Sequence, residues 1–212
     1  MSDADKKIIL AKCAQAEIEE KKSIFIGYAA PVSSEEDAKK IVAERKSAFS
    51  DATHNVWAYY IDKGARARCS DDGEPQGTAG MPVLNVLKMS GGTDMCVVVT
   101  RYFGGTLLGA GGLVRAYSAA AKAAIDAAGL AECRMFDIFE ISVSYSDYQR
   151  LTVQLAAVGA IEEGADFGSD VTVRASVVHE NAPRLVELVS DLTGGKSKAV
   201  LIDSIERAAE IQ

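Results

Sequence analysis

Five of the chain's 18 glycines fall within residues 104–112, and this segment is flanked by two arginines, Arg101 and Arg115. Glycine permits positive φ and leaves the backbone N–H groups uncovered by side chains. The segment leads into a predicted helix, whose first amides have no intrahelical partner. Backbone N–H groups at such a position bind phosphate or carboxylate. The segment therefore predicts an anion-binding loop, and a tight strand-to-helix turn that needs small residues is the alternative.

Arg115 is placed in the first turn of the predicted helix. A cation there faces the positive end of the helix dipole, which typically costs about 0.3–1 kcal/mol unless an anion lies nearby. The alternative is a solvated polar helix face that Arg115 shares with Lys122 and Asp126. Nucleotide-binding motifs do not fit, because no Gly-Lys-Ser/Thr follows the loop and the G-x-G-x-x-G spacing fails.

A second unusual stretch carries three carboxylates, Asp71, Asp72 and Glu74, among turn-forming residues. They could hold Mg²⁺ or Ca²⁺, act as acid and base, balance the charge of the arginines, or form a polar surface turn. Ca²⁺ requires more oxygen ligands at a defined spacing than this run offers. We therefore expect the carboxylates to serve mainly as charge partners for Arg101 and Arg115, and we expect neither a metal site nor a cofactor.

The hydrophobic pattern predicts the elements that position these residues. Residues 54–61 are β-branched and aromatic and predict a strand, and the apolar run 95–99 predicts a buried strand just before the glycine loop. Residues 113–128 predict a helix, with an inner stripe of Leu113, Ala116, Tyr117, Ala120, Ala124 and Ala128. The faces of the 54–61 strand are expected to be Val56, Ala58 and Tyr60 on one side and Trp57, Tyr59 and Ile61 on the other.

Two further helix starts are predicted from local signals. Ser33 and Glu36 match a capping box for a helix that runs to about Ala48. Pro82 suits the first position of a helix that ends before Gly91.

The last third of the chain predicts a regular series of elements. Strand, helix, two strands, helix and strand follow one another from residue 137 to residue 205, with Asn181 as the cap of the second helix. The order βαββαβ is typical of a ferredoxin-like domain. Gly129 and the polar residues 131–134 are expected to form a linker, so the predicted domains are residues 1–130 and 136–212.

Composition limits the possible functions. The chain has 212 residues, 48% of them apolar, and a formal net charge of −7. This charge argues against binding duplex DNA or a membrane surface by bulk electrostatics, so any nucleic-acid contact must be local. Four separated cysteines indicate neither a zinc site nor a disulfide framework. No signal peptide or membrane-spanning run is recognised, and we expect a cytoplasmic protein.

Two long motifs, residues 70–82 (SDDGEPQGTAGMP) and residues 99–118 (VTRYFGGTLLGAGGLVRAYS), together resemble the YigZ/IMPACT family. Residues 54–59 (HNVWAY) also fit the family's H-x-x-x-A-Y segment, which places His54 in the candidate cleft by similarity. The resemblance extends strongly over about residues 18–128.

The resemblance implies an α+β protein. Its first domain would have the fold of ribosomal protein S5 domain 2, and its second would be a smaller ferredoxin-like domain similar to the last domain of elongation factor G. Eukaryotic family members act in translational control by competing for the activator of a stress kinase. They carry an RWD domain that this sequence does not show. The resemblance supplies no catalytic residues.

These observations favour a translation-associated binding protein that contacts RNA, a ribosome-associated factor or another phosphate-bearing ligand. An enzyme acting on a phosphorylated or carboxylated small molecule and a protein-interaction module remain as alternatives. The candidate ligand-binding residues are His54, Arg68, Asp71, Asp72, Glu74, Arg101, Tyr102, Gly104, Gly105, Gly109, Gly111, Gly112 and Arg115.

Overall fold

The computed structural model describes residues 6–209. Within this range the chain forms ten strands and five helices, which confirms the predicted α+β class. The described residues divide into two compact units, one made of residues 6–133 with 208–209 and the other of Arg134–Arg207. No helix in the described range has the length and apolar character required to cross a membrane. That residues 1–130 and 136–212 fold independently stays a prediction.

The first unit is built around one antiparallel sheet. Its elements are β1 (Ile8–Leu10), β2 (Ala14–Glu20), β3 (Ser23–Pro31), α1 (Glu35–Ala48), β4 (His54–Ile61), β5 (Arg66–Ser70), α2 (Gly80–Met89), β6 (Met95–Tyr102) and α3 (Ala110–Ala128). The sheet order is β2-β3-β6-β4-β5, and every neighbouring pair is antiparallel. Helices α2 and α3 cover one face and α1 covers the other.

Strand β4 shows the predicted two-faced pattern. Val56 and Ala58 are buried in the core with α2 and α3, whereas Tyr59 and Ile61 are buried against α1. Successive side chains of a strand alternate between the two faces, so β4 contributes to both cores. The same alternation places His54 and its register partner Arg101 on the face that carries α2 and α3.

Helix α3 presents its alanine-rich stripe to the sheet, as predicted, and all six predicted stripe residues are buried. The helix begins at Ala110, three residues earlier than the pattern indicated, because Gly109 takes φ 72° as the N-cap and its carbonyl accepts a hydrogen bond from the Leu113 N–H at 2.9 Å. Arg115 therefore lies in the second turn of α3, and its predicted place in the first turn is wrong.

The start of α1 lies one residue further along than predicted. Ser34 is the N-cap and its Oγ accepts a hydrogen bond from the Asp37 N–H at 3.1 Å, while the Ser33 N–H donates to the Asp37 carboxylate. The capping pair is thus Ser34 and Asp37 rather than Ser33 and Glu36. Helix α2 begins at Gly80, two residues before Pro82.

The second unit has the ferredoxin-like order. Its elements are β7 (Leu130–Val143, whose first residues belong to the first unit and pair with β1), α4 (Tyr145–Leu155), β8 (Ala160–Phe167), β9 (Val171–Val178), α5 (Ala182–Thr193) and β10 (Ala199–Ala209). The sheet order β10-β7-β9-β8 is the 4-1-3-2 order of a split βαβ fold. Residues 131–134, expected as a linker, are part of β7. Asn181 occupies the cap position of α5, but its side chain makes no capping hydrogen bond.

We predict that Gly27→Ala destabilises the first unit. A Cβ atom on Gly27 would lie 2.4 Å from the Ala120 carbonyl oxygen of α3, so β3 and α3 would have to separate. Overpacking of this kind costs about 1–3 kcal/mol. The matched control is Gly111→Ala, where a Cβ atom meets only the Arg115 side chain at 3.7 Å, and alanine should stabilise the helix slightly. Urea unfolding measures both, and equal stabilities would contradict the prediction.

Candidate functional site

A cleft of about 450 Å³ opens in the first unit at the end of the sheet where β4 begins and β6 ends. It is bounded by His54, by residues 73–75 of the loop after β5, by Phe103 and residues 107–109, and by the start of α3. Arg101 also lines it. The sheet register explains this convergence, because His54 on β4 stands opposite Arg101 at the end of β6.

The floor of the cleft holds a buried ion pair between Arg101 and Glu74. The Arg101 Nη1 lies 2.6 Å from the Glu74 Oε1, and the two side chains are only 6% and 4% exposed. The same carboxylate oxygen accepts a hydrogen bond from the Tyr117 hydroxyl at 2.8 Å, and burial and this bond raise the pKa of Tyr117. The Arg101 Nη2 also donates to the Ser23 Oγ at 3.4 Å. Arg101, predicted to supply charge to a ligand, is therefore structural as well as cleft-lining.

One donor of Arg101 is left over. Its Nε is buried and has no hydrogen-bond partner among the described residues. An unpaired buried N–H carries a desolvation penalty of about 1–3 kcal/mol, so an acceptor that reached this atom would be favoured.

His54 is held in one orientation by a backbone contact. Its Nδ1 lies 2.8 Å from the Asp72 carbonyl oxygen, which can only accept, so Nδ1 carries a proton. The Nε2 atom lies 3.8 Å from the Glu74 carboxylate. In the neutral ring, Nε2 is therefore an acceptor, and in the charged ring it is a second donor.

Asp71 organises the loop rather than the ligand site. Its carboxylate accepts the backbone N–H groups of Gly77, Ala79 and Gly80 at 2.7–3.0 Å, and these bonds fix the loop to the start of α2. Burial alone would raise the pKa of Asp71, but the three N–H groups outweigh it and hold the pKa below its usual value.

Asp72 also has its own partners. Its carboxylate accepts from the Lys46 ammonium and, at 2.7 Å, from the Asn55 backbone N–H. Burial raises the pKa of Asp72, but these partners outweigh burial and hold it below the usual value. Of the three carboxylates only Glu74 pairs with an arginine, so the expected charge partnership is wrong for Asp71 and Asp72. Residues 6–209 contain no group of three His, Cys, Asp or Glu side chains suited to a metal ion.

Two predicted site residues lie on the opposite face of the sheet. Arg68 on β5 pairs with Tyr59, whose side chain packs on the α1 side. Tyr102 follows Arg101 on β6 and therefore points the other way, where its hydroxyl donates to Asp51 at 2.9 Å. The prediction that Arg68 and Tyr102 line the cleft is therefore wrong.

Two of the five loop glycines are required by close packing. A Cβ atom on Gly104 would lie 2.0 Å from the Lys22 carbonyl carbon, and one on Gly112 would lie 2.9 Å from the Leu108 Cβ. At both positions the alternative of a turn that needs small residues is sufficient.

The other three glycines leave open space. Gly105 and Gly109 have positive φ values of 82° and 72°, and nothing lies near either one where a side chain would begin. Gly111 is an exposed helical residue of the first turn of α3. No side chain caps this helix, so its first N–H groups face outward at the cleft edge.

Three exposed cations lie on segments next to the glycine loop and the start of α3. The Arg115 guanidinium reaches back over the first turn, and its Nη1 lies 3.7 Å from the position of a Cβ atom on Gly111. Lys21 and Lys22 form the exposed turn between β2 and β3 against which Gly104 packs. None of the three is in an ion pair with any residue in the range 6–209. We call Lys21, Lys22 and Arg115 the rim cations.

Sequence reasoning missed the two lysines and Tyr117 as parts of the site. The prediction that Tyr117 belongs to the core stripe is confirmed. Its hydroxyl also donates a hydrogen bond to Glu74. A buried tyrosine normally finds a partner for its hydroxyl, which was the available signal. Lys21 and Lys22 lie some 80 residues before the glycine loop, and only the strand pairing of β3 with β6 brings them close.

We predict that Glu74→Ala lowers the free energy of unfolding strongly. Removing one partner of a buried ion pair leaves Arg101 charged and unpaired, which typically costs about 3–5 kcal/mol. Tyr117→Phe removes only one hydrogen bond to the pair and should cost about 1–3 kcal/mol. Chemical denaturation tests this, with the exposed Glu19→Ala as control. A loss below that of Tyr117→Phe would show that the pair is not the main constraint.

We predict that Asp72 contributes stability that is lost in acid. Because its folded pKa is below the usual 3.8, the ionised carboxylate stabilises the fold above about pH 4. That contribution disappears as pH falls through the lowered pKa. Asp72→Asn should therefore be less stable than the parent at pH 6, and the difference should shrink towards pH 2. Asp126→Asn, which alters an exposed pair with Lys122, is the control and should change little at any pH.

Comparisons with known proteins agree with this architecture. Residues 21–125 match the Impact N-terminal domain. The chain is 35% identical over 187 residues to the IMPACT family member YvyE of Bacillus subtilis, covering 88% of this chain and 86% of that protein. It is 32% identical over 189 residues to the IMPACT family member YigZ of Escherichia coli, covering 86% and 91%. A crystal structure of a hypothetical protein superposes with a TM-score of 0.59 at 28% identity, covering 93% and 98%. The chain belongs to the IMPACT family.

Proposed function

We propose that the protein is a translation-associated binding protein whose first unit takes a phosphate-bearing ligand in the cleft. The observation that carries the proposal is the start of α3. This 19-residue helix has no side-chain cap and opens on the cleft, Arg115 reaches back over its first turn, and Lys21 and Lys22 form the turn against which Gly104 packs. Free N–H groups and the positive end of the helix dipole favour an anion at that position.

The positive charge that attracts the ligand comes from the rim cations rather than from Arg101 on the floor of the cleft. Arg101 is neutralised by Glu74 at 2.6 Å, so the pair adds little net field. The rim cations have no such partner in the described chain and stand out on a protein of net charge −7. A local basic rim on an acidic protein fits a ligand that presents a few phosphates and disfavours broad coating of a duplex.

The connection with translation rests on family membership and on what the resemblance implies for that family. RNA or a ribosome-associated partner is the ligand class that joins a translational role to a phosphate-binding cleft. The enzyme alternative assigned acid and base roles to Asp71, Asp72 and Glu74. Each of these carboxylates already accepts hydrogen bonds within the fold, so no specific observation favours that alternative.

We predict that Arg115→Ala weakens binding of a fluorescently labelled eight-nucleotide RNA by about three- to tenfold, since one exposed charged contact is lost. Lys21→Ala with Lys22→Ala should weaken binding similarly and make the salt dependence shallower. The control is Lys122→Ala on the same helix, because Lys122 already pairs with Asp126.

Fluorescence anisotropy at several salt concentrations, together with co-sedimentation with ribosomes, provides the measurement. The proposal fails if neither the RNA nor the ribosomes bind the parent protein. It also fails if the Arg115 and Lys122 variants bind equally well.

A further inference from the structure

Resting on the proposed phosphate-binding role of the cleft, we propose that its ligand is single-stranded RNA, held with one unpaired base stacked against Phe103. The phosphate next to that base would lie at the start of α3. Three features of the cleft point to a base rather than to a phosphate alone: an apolar wall, its size and the donors and acceptors of its floor.

The wall of the cleft carries exposed apolar side chains. Phe103 is 46% exposed and Leu107 is 83% exposed, and both line the cleft. Apolar side chains left in water beside a polar floor indicate a surface that a ligand covers. An aromatic ring next to a basic rim is the usual platform for a nucleic-acid base, because every base has a face that stacks.

Phe103 is held in place from two directions. Its backbone N–H donates to the Thr53 Oγ at 3.1 Å. The Arg101 guanidinium carbon lies 5.6 Å from the centre of its ring. Because Arg101 is itself fixed by Glu74, the ring is supported before any ligand arrives. A preorganised platform loses little entropy on binding.

The size of the cleft suits one nucleotide of a longer strand. Its volume of about 450 Å³ lies at the lower end of the range for small-ligand sites. In a duplex the base faces are covered by stacking, so a duplex has no free base to offer Phe103. The cleft therefore selects an unpaired nucleotide within a strand.

The floor offers both a donor and an acceptor to the edge of that base. Arg101 lines the cleft, and its buried Nε–H has no partner among residues 6–209. The His54 Nε2 is an acceptor in the neutral ring, because Nδ1 is committed to the Asp72 carbonyl. This pairing of a donor with an acceptor matches the polar edge of a base, which presents both kinds of group, whereas an ionised phosphate presents only acceptors.

The test compares four probes on the parent protein by anisotropy and competition. They are an eight-nucleotide oligouridylate, the same backbone with abasic sites, a blunt RNA duplex of equal length, and free uridine monophosphate. We expect the abasic strand and the duplex to bind about tenfold or more weakly than the oligouridylate, since stacking of one base is lost. We expect the free nucleotide to compete only at concentrations at least tenfold higher, because it lacks the neighbouring phosphates.

Variants identify the platform. Phe103→Ala should reduce oligouridylate binding about tenfold and leave the weak binding of the abasic strand unchanged, while Phe103→Tyr should retain the affinity. Leu107→Ser changes a side chain with no role in the core and should weaken oligouridylate binding severalfold at unchanged melting temperature. This variant therefore tests the contribution of the apolar wall even if Phe103→Ala fails to fold.

The outcomes separate this inference from the proposed function. If the abasic strand binds as tightly as the oligouridylate and both depend on Arg115, the phosphate site stands and the base platform is refuted. If the duplex binds best, or uridine monophosphate matches the oligomer, single-stranded RNA is not the ligand. If no probe binds, this inference is refuted, and the proposed function is refuted with it unless ribosomes co-sediment with the protein.

Discussion

The ion pair between Arg101 and Glu74 is the constraint on which the rest of the site depends. It joins the end of β6 to the loop after β5, while Tyr117 ties the same carboxylate to α3 and Ser23 ties the guanidinium to β3. Four segments distant in sequence are thus fixed by one buried charge pair. Such a pair adds little net stability relative to apolar packing, yet removal of either partner leaves an uncompensated charge. It therefore determines where the cleft is.

Local pattern was enough to predict strands β4 and β6 and the helices that carry the site. The alternation along β4 and the alanine stripe of α3 reflect burial on a fixed period, which depends only on neighbouring residues. The start of α3 was misplaced because Gly109, with its positive φ, caps the helix without any side-chain signal. A three-residue error there moved Arg115 out of the first turn and changed the physical argument for its role.

The composition of the cleft could not be predicted, because it depends on register and on distant contacts. Arg68 is a cation close in sequence to the carboxylates. Its pairing with Tyr59 on β4, however, places its side chain on the face of the sheet that carries α1. Glu74 and its neighbours Asp71 and Asp72 look equivalent in sequence. Their different partners make Glu74 a buried counter-ion, Asp71 an anchor of the loop and Asp72 a half-buried partner of Lys46. The glycine run was likewise recognised as special, but Gly104 and Gly112 serve packing and only part of the loop remains open to a ligand.

The rim cations and the residues of the floor differ in how freely they could be substituted during evolution. Lys21, Lys22 and Arg115 are exposed and stand on a turn and an outer helix face, so no core contact depends on their identity. The floor is less tolerant of change, because Arg101, Glu74 and Tyr117 are joined to one another by buried contacts. Selection could therefore vary the rim residue by residue and retune ligand preference without loss of folding. A cleft divided in this way into a tightly coupled base and an adjustable edge is well suited to evolve different specificities among descendants of one ancestral sequence.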